Sequence, residues 1–274
     1  MDWQNEPVRE VVDGVYELNL GVVNIHLIVT DDGVVLVDTG VPRGAKRIDR
    51  ALRELGKEIG DVTAVLLTHH HLDHIGAVAD VRRRSGARVF AHAADAPGIT
   101  GVNQPAEPKG LAKLVVRLIG RPEPTKLDQL ITGDESTPLP GLTAVHTPGH
   151  TRGHVSYLLD RAGGVLFAGD AATSTRDGAV TVGPAQASAD PARQALSLAK
   201  LAGYDFEHAV FGHGRAISGR AVDRFREYAR SNADAPGGPG GAGPMTGTEP
   251  GAGGSPESGG NPGAGGGPAS GGRS

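Results

Sequence analysis

Thr68-His69-His70-His71-Leu72-Asp73-His74 is the stretch on which the reading of this chain turns. It follows the apolar run 62–67, which reads as a short buried strand. It precedes a pattern that predicts a helix over 75–84, closed by Ser85-Gly86. Imidazoles and a carboxylate crowded into such a turn can converge just beyond the carboxyl end of the strand, where α/β sites are usually built. The alternatives are an exposed polar loop or a histidine tag, and the cluster's internal position, its interruption by Leu72 and Asp73, and the apolar strand and helix face on either side argue against both.

Three later residues share this setting. His150 lies in Thr147-Pro-Gly-His150, Asp170 in Phe167-Ala-Gly-Asp170 and His213 in Phe211-Gly-His213-Gly214. Each follows a predicted strand and precedes a Gly-rich or irregular turn. One such residue would more simply cap its own turn; three in the same context as the 69–74 cluster point to a shared centre. The chain has no cysteine, so thiolate metal sites, thiol nucleophiles and disulfides are excluded together. A metal must be held by His, Asp or Glu, a donor set that suits Zn²⁺ and also accommodates Fe, Mn or Co.

Outward from these turns, alternating apolar residues predict strands over 15–20, 24–29 and 34–38, with Asp31-Asp-Gly33 as a hairpin signal. A helix is expected over 42–55, with Ile48, Leu52 and Leu55 on one face and Gly56 past its end. A strand follows at 88–91. Residues 97–135 interrupt the rhythm around one amphipathic piece at 111–119, read as a helix packed on the body or a lid over a pocket. Strand character returns at 142–146, 155–159, 165–168 and 207–211. Asp190-Pro191 opens a helix reaching Leu201, and a last helix spans 219–230. The pattern predicts an α/β fold, and the strand-rich beginning and middle suggest two similar halves.

Of the 274 residues, the last forty or so are Gly, Pro, Ser and Ala with few large apolar side chains. Such a segment cannot bury enough surface to offset its ordering entropy. The expected organisation is a catalytic domain at 1–233 and a disordered tail at 234–274, to which no chemistry is assigned. The net charge of −4 comes without a long basic block, so no nucleic-acid partner is expected. Neither a signal-peptide-like start nor an apolar run of about 20 residues is visible, so the expected location is the cytoplasm, away from membranes.

His69-x-His71-x-Asp73-His74 followed by His150, Asp170 and His213 resembles the metallo-β-lactamase superfamily. Leu36-Val-Asp38-Thr-Gly40, Thr147-Pro-Gly-His-Thr-Arg-Gly-His154 and Gly212-His-Gly214 extend the resemblance over nearly all of the predicted globular part. The resemblance implies a four-layer αββα sandwich with its site at one edge of the two sheets. It implies two divalent metal ions: His69, His71 and His150 would hold the first, Asp73, His74 and His213 the second, with Asp170 bridging. Asp38 is expected to orient a ligand histidine or the nearby turn, and His154 to tie down its own Gly-rich loop. His70 should point away and lie exposed. His26, His92, His146 and His208 have no constellation around them.

The resulting expectation is a dinuclear hydrolase in which an activated water cleaves an ester, thioester, lactone or amide-like bond of a small molecule, with Asp73 orienting the nucleophile and passing a proton. The resemblance lies nearest the glyoxalase II-like and lactonase-like branches. A glyoxalase II proper would carry a C-terminal helical domain, whereas about twenty residues separate His213 from the tail. Lactonases of this fold usually place a Tyr shortly after the bridging Asp, and here Asp170-Ala-Ala-Thr-Ser-Thr stands instead. A persulfide dioxygenase of the same fold, with a single iron and molecular oxygen, is the alternative. An RNase Z-like nuclease would need a basic path that the sequence lacks. A non-enzymatic scaffold is disfavoured by seven filled ligand positions.

Overall fold

Strands β2 (Val15–Asn19), β3 (Asn24–Thr30) and β4 (Gly33–Val37) form an antiparallel meander, its second turn closed where Thr30 pairs with Gly33 across Asp31-Asp32. The computed structural model describes residues 8–102 and 120–233 of the chain. After β4 the connections pass through helices and the strands become parallel: β5 (Val62–Leu66), β6 (Arg88–His92) and β7 (Gln129–Ile131) follow in order. With β1 (Arg9–Val12) pairing to β2, the first sheet has the order β1-β2-β3-β4-β5-β6-β7.

The second sheet starts in the same way. Strands β8 (Glu135–Leu139), β9 (Leu142–His146), β10 (Val155–Leu159) and β11 (Val165–Phe167) are antiparallel neighbours; β14 (His208–Val210) then lies parallel to β11, and β15 (Ile217–Ser218) closes the edge. A short pair, β12 (Thr173–Ser174) and β13 (Val180–Thr181), stands apart.

Three apolar clusters define the layers. Alternation sends one face of each sheet to a common interior, where Val15, Ile28, Val35, Val37, Leu66 and Phe90 meet Ala144, Val155, Tyr157, Phe167 and Val210. The other face of the first sheet, including Leu27, Leu36 and Val65, packs on α1 (Ala45–Glu54) through Ile48 and Leu52 and on α3 (Val78–Ser85) through Val78 and Val81. The outer face of the second sheet packs Leu166, Ala209 and nearby Phe211 on α5 (Pro191–Leu201) and α6 (Ala221–Ser231) through Leu198, Leu201 and Phe225. The order helix, sheet, sheet, helix is the expected four-layer αββα sandwich, with each half passing from antiparallel to parallel pairing.

Local differences have local causes. The helix expected over 75–84 is two pieces, α2 (Leu72–Ile75) and α3, separated at Gly76. The backbone of Val41 and Pro42 crosses there, so a Cβ on Gly76 would lie 2.2 Å from Val41 C and Pro42 N, and the Gly76 N–H donates to the Gly40 carbonyl at 2.7 Å. The helix expected from Pro42 begins at Ala45, after a turn closed by Gly44 N–H on Val41 O. Asp190 caps α5 as the sequence indicates, its Oδ1 accepting from Arg193 N–H at 2.9 Å with Pro191 at the first position. Within 97–135 the chain forms α4 (Ala96–Thr100) and β7. The amphipathic piece at 111–119 lies outside the described residues, as does the Gly/Pro-rich segment 234–274. Among the described residues no helix is long and apolar enough to cross a membrane.

Candidate metal centre

Every residue singled out for the centre stands just beyond the carboxyl end of a strand: Asp38 after β4, the 69–74 turn after β5, His150 after β9, Asp170 after β11 and His213 after β14. The topology brings them together at one rim of the two sheets, Asp38 and the 69–74 turn from the first and His150, Asp170 and His213 from the second. His69 Nε2 lies 3.1 Å from His71 Nδ1, which lies 2.9 Å from His150 Nε2. Across from them, His213 Nε2 lies 3.5 Å and His74 Nε2 3.9 Å from Asp73 Oδ2. Asp170 stands between: its Oδ2 is 3.3 Å from both His150 Nε2 and His213 Nε2 and 3.9 Å from His69 Nε2, while Oδ1 is 3.4 Å from His74 Nε2. Three groups therefore have donor atoms close enough to share a cation: His69, His71 and His150; His69, His74 and Asp170; Asp73, His74 and His213.

The surrounding hydrogen bonds aim these rings. Asp38 Oδ1 accepts the Thr68 N–H at 2.8 Å, and Oδ2 accepts the Thr68 hydroxyl at 2.7 Å and His74 Nδ1–H at 2.8 Å. With its own hydrogen given to Asp38, Thr68 Oγ1 can only accept from His69 Nδ1, 3.0 Å away. Both histidines thus carry their proton on Nδ1 and turn Nε2 to the centre.

His154 supports the other half. Its Nε2 accepts the Asp170 N–H at 2.9 Å, so its Nδ1 donates to Thr147 Oγ1 at 2.9 Å; Thr147 then donates to Ser156 Oγ, which donates to the Ala168 carbonyl, both at 3.0 Å. It therefore does more than fix its own loop: it holds the backbone of Asp170. Gln194, wholly buried on α5, adds a 2.6 Å bond from Nε2 to the Asp170 carbonyl. Asn24 holds the His213 turn, donating from Nδ2 to the carbonyls of Phe211 at 3.2 Å and Gly214 at 2.9 Å.

The electrostatics separate the histidines into two sets. Burial first, then neighbouring histidines, push His71 down to about 4 and His154 to about 3, and burial also holds His69 and His150 below the usual value, so these imidazoles are neutral. Burial opposes a charge on His74 as well, but Asp170 and Asp38 outweigh it and raise its pKa well above the usual value. Hydrogen bonds to Asp170 and Asp73 raise His213 to about 10. Burial works against the charge of Asp170 and Asp73 too, yet the histidines around them hold both below the usual carboxylate range. The two ionised carboxylates thus draw positive charge onto His74 and His213 and leave the other imidazoles neutral.

His70 departs from expectation. Its side chain is 38% exposed rather than free in solvent, its Nδ1 lies 2.9 Å from Asp95 Oδ2, and its ring packs on Gly98. Away from the centre, His92 and His146 stack with centroids 4.1 Å apart, and His26 sits buried with its Nε2 3.6 Å from Glu17 Oε2. Neither these three nor His208 belongs to a metal-capable group among the described residues. Sequence reasoning missed Asp95, Thr68, Gln194 and Asn24. None of the four carries a local signal of its role, since each acts through partners distant in sequence.

A family model described as the metallo-beta-lactamase superfamily matches residues 18–213. The probable metallo-hydrolase YflN of Bacillus subtilis is 31% identical over 232 residues, covering 77% of this chain and 88% of that protein. A hydroxyacylglutathione hydrolase of Shewanella pealeana is 31% identical over 156 residues, 56% of this chain, and the match spans 47% of that relative's length. Among solved structures, the class B3 di-zinc metallo-β-lactamase LRA-12 from an Alaskan soil metagenome has a TM-score of 0.58 at 23% identity, with 77% of this chain and 80% of that one covered, a likeness of fold. Together with the seven side chains gathered at the sheet rim, the family match over 18–213 and the relative covered over most of its length show that the chain belongs to the metallo-β-lactamase superfamily.

Proposed function

We propose that the protein is a dinuclear metal-dependent hydrolase of small-molecule acyl compounds, with His69, His71 and His150 holding one divalent cation, Asp73, His74 and His213 a second, and Asp170 shared between them. The observation that carries this reading is the arrangement of unpartnered donors. His74 Nε2 and Asp170 Oδ1 are both buried and face each other at 3.4 Å without forming a hydrogen bond, a costly state unless a cation completes them. The ring orientations set by Asp38 and Thr68 and the neutrality of His69, His71 and His150 suit the same role. On this reading the positive charge on His74 and His213 stands in for the cations, and binding releases those protons. The donors suit Zn²⁺, and LRA-12, a neighbour in fold, is a di-zinc protein.

Bound there, a cation pair supplies an acidified water and polarises a substrate oxygen. Asp73, its side chain 28% exposed, faces the open side, where it orients the attacking water and carries its proton toward the leaving group. Asp170 fixes the spacing of the two halves, and Asp38 keeps His74 Nδ1 protonated so that Nε2 remains a donor of electrons. Hydrolysis then joins the water oxygen to the acyl carbon as the bond to the leaving group breaks.

Among esters, thioesters, lactones and amide-like bonds, thioesters have the support of the relatives named hydroxyacylglutathione hydrolase. The deciding experiment counts metal in the full chain and assays thioester, lactone, β-lactam and phosphodiester substrates side by side. Two equivalents of metal with acyl hydrolysis support the proposal. One equivalent of iron with oxygen uptake, or turnover of the phosphodiester alone, overturns it.

A further inference from the structure

Asp95 is 2% exposed, ends the turn after β6 and stands at the N-terminus of α4, yet its carboxylate makes no cap bond to that helix. The ordinary role of an Asp before a helix is therefore vacant. Oδ2 instead accepts the backbone N–H of His70 at 3.1 Å and the Thr151 hydroxyl at 2.7 Å, and Oδ1 accepts the Gly153 N–H at 2.8 Å. His70 Nδ1 approaches the same Oδ2 to 2.9 Å, although without the alignment of a hydrogen bond.

These contacts join two loops of different origin. His70 lies between His69 and His71 beyond a strand of the first sheet; Thr151 and Gly153 follow His150 on the turn between β9 and β10 of the second. The nearest backbone hydrogen bond across this seam, Val155 N–H to the Thr68 carbonyl at 2.9 Å, lies outside both loops, and none pairs 69–71 with 149–153. Closeness is built into the sequence as well: a Cβ on Gly153 would fall 2.6 Å from Asp95 N and 2.7 Å from Oδ1, so the loop can approach only because residue 153 is glycine. The fold thus places one buried carboxylate, not itself aimed at the centre, across the seam between His69 and His71 on one side and His150 on the other.

We infer that Asp95 is a positioning residue that sets the distance between the His69–His71 pair and His150, and so governs the cation site formed by those three while leaving the Asp73–His74–His213 site alone. The inference rests on the metal-centre reading above. The second site has its own supports, Asp38 for His74 and Asn24 for the His213 turn, with Thr173 Oγ1 donating to the His213 carbonyl at 2.6 Å. None of these passes through Asp95. Division of labour of this kind makes a prediction that general destabilisation does not: loss confined to one of two cations.

Full-length wild type, Asp95→Asn and Thr151→Val, each loaded with Zn²⁺, are equilibrated against a graded series of chelator, and bound zinc is counted. Asp95→Asn puts an amide donor where three donors meet and should release one equivalent at about 10–100-fold weaker chelation, with the other held as in wild type. Thr151→Val, which keeps the carboxylate and its bonds to His70 and Gly153, should shift the same equivalent several-fold and serves if Asp95→Asn does not fold. The Co²⁺-loaded forms should show a changed visible spectrum for one site only. Unchanged retention, or equal weakening of both equivalents, overturns the role of Asp95. A wild-type chain that retains no metal overturns the metal-centre reading and this inference with it.

Discussion

Asp38 Oδ2 lies 2.8 Å from His74 Nδ1 while the Asp38 backbone is held in the left-handed region at φ 63°. A residue other than glycine pays for that conformation, and the return is a carboxylate that reaches both Thr68 and His74 from the end of β4. Asp38→Asn tolerates the backbone but replaces one accepting oxygen by a donor. It should lower metal affinity by about 10–100-fold with the fold intact, read by chelator competition beside circular dichroism. An unchanged affinity would show that the contact does not tune His74.

Asp73→Ala and His71→Ala separate chemistry from folding. Both side chains are partly exposed at the rim and belong to metal-capable groups. Turnover should fall by about 10²–10⁴-fold or more, with the circular dichroism spectrum retained. Activity within a few-fold of wild type in either variant would be fatal to the proposed mechanism.

Gly212→Ala tests how closely the centre is packed. The added Cβ would lie 2.2 Å from Asp170 Oδ1 and 2.7 Å from His74 Cε1, so the shared carboxylate must turn. A displacement of about 1 Å at a reacting centre can cost roughly 10²-fold in rate. Metal stoichiometry and turnover measured together should fall while thermal stability changes little.

Tyr157 lies wholly buried on β10, and its hydroxyl donates at 2.8 Å to the carbonyl of Leu67, on the opposite sheet and one residue before the histidine turn. Tyr157→Phe leaves that carbonyl unpaired. The loss should be about 1–2 kcal/mol, which for a domain of this size lowers Tm by roughly 2–8 °C. Calorimetry gives the number directly.

The acid response of stability has one separable contribution. Burial disfavours the charge of Glu17, but His26 and Arg9, the latter with Nη2 at 2.6 Å, hold its pKa below the ordinary 4.5. A depressed folded-state pKa means that the stabilisation is complete above the unfolded value and is lost as pH falls through the folded one. The gap in Tm between wild type and Glu17→Gln should therefore be widest near neutrality and shrink steadily below pH 4.5. A gap independent of pH would remove Glu17 from the acid response.

The legible and illegible parts of this molecule differ in a physical way. The 69–74 cluster, His150, Asp170 and His213 could be read because each follows an apolar strand with a polar group whose presence needs a reason. The break between α2 and α3 could not, because it comes from Val41 and Pro42 crossing Gly76, a contact more than thirty residues away in sequence. Strand β8 was hidden by Pro138 within Glu-Ser-Thr-Pro-Leu and by its edge position, where one face needs no apolar alternation. Asp95 carries no signal in the sequence, because its partners, His70, Thr151 and Gly153, are brought to it only by the fold. The sequence around His70 says nothing of its surroundings, which are set by Asp95 and Gly98 on the next strand-to-helix turn.

The division of donors between the sheets has a mechanical consequence. Four of the seven side chains ride on one half of the sandwich and three on the other, so neither half can grip a cation pair once the halves slide apart. Ions seated there would act as rivets across the shear plane, and their residence time would be bounded by how often that plane opens.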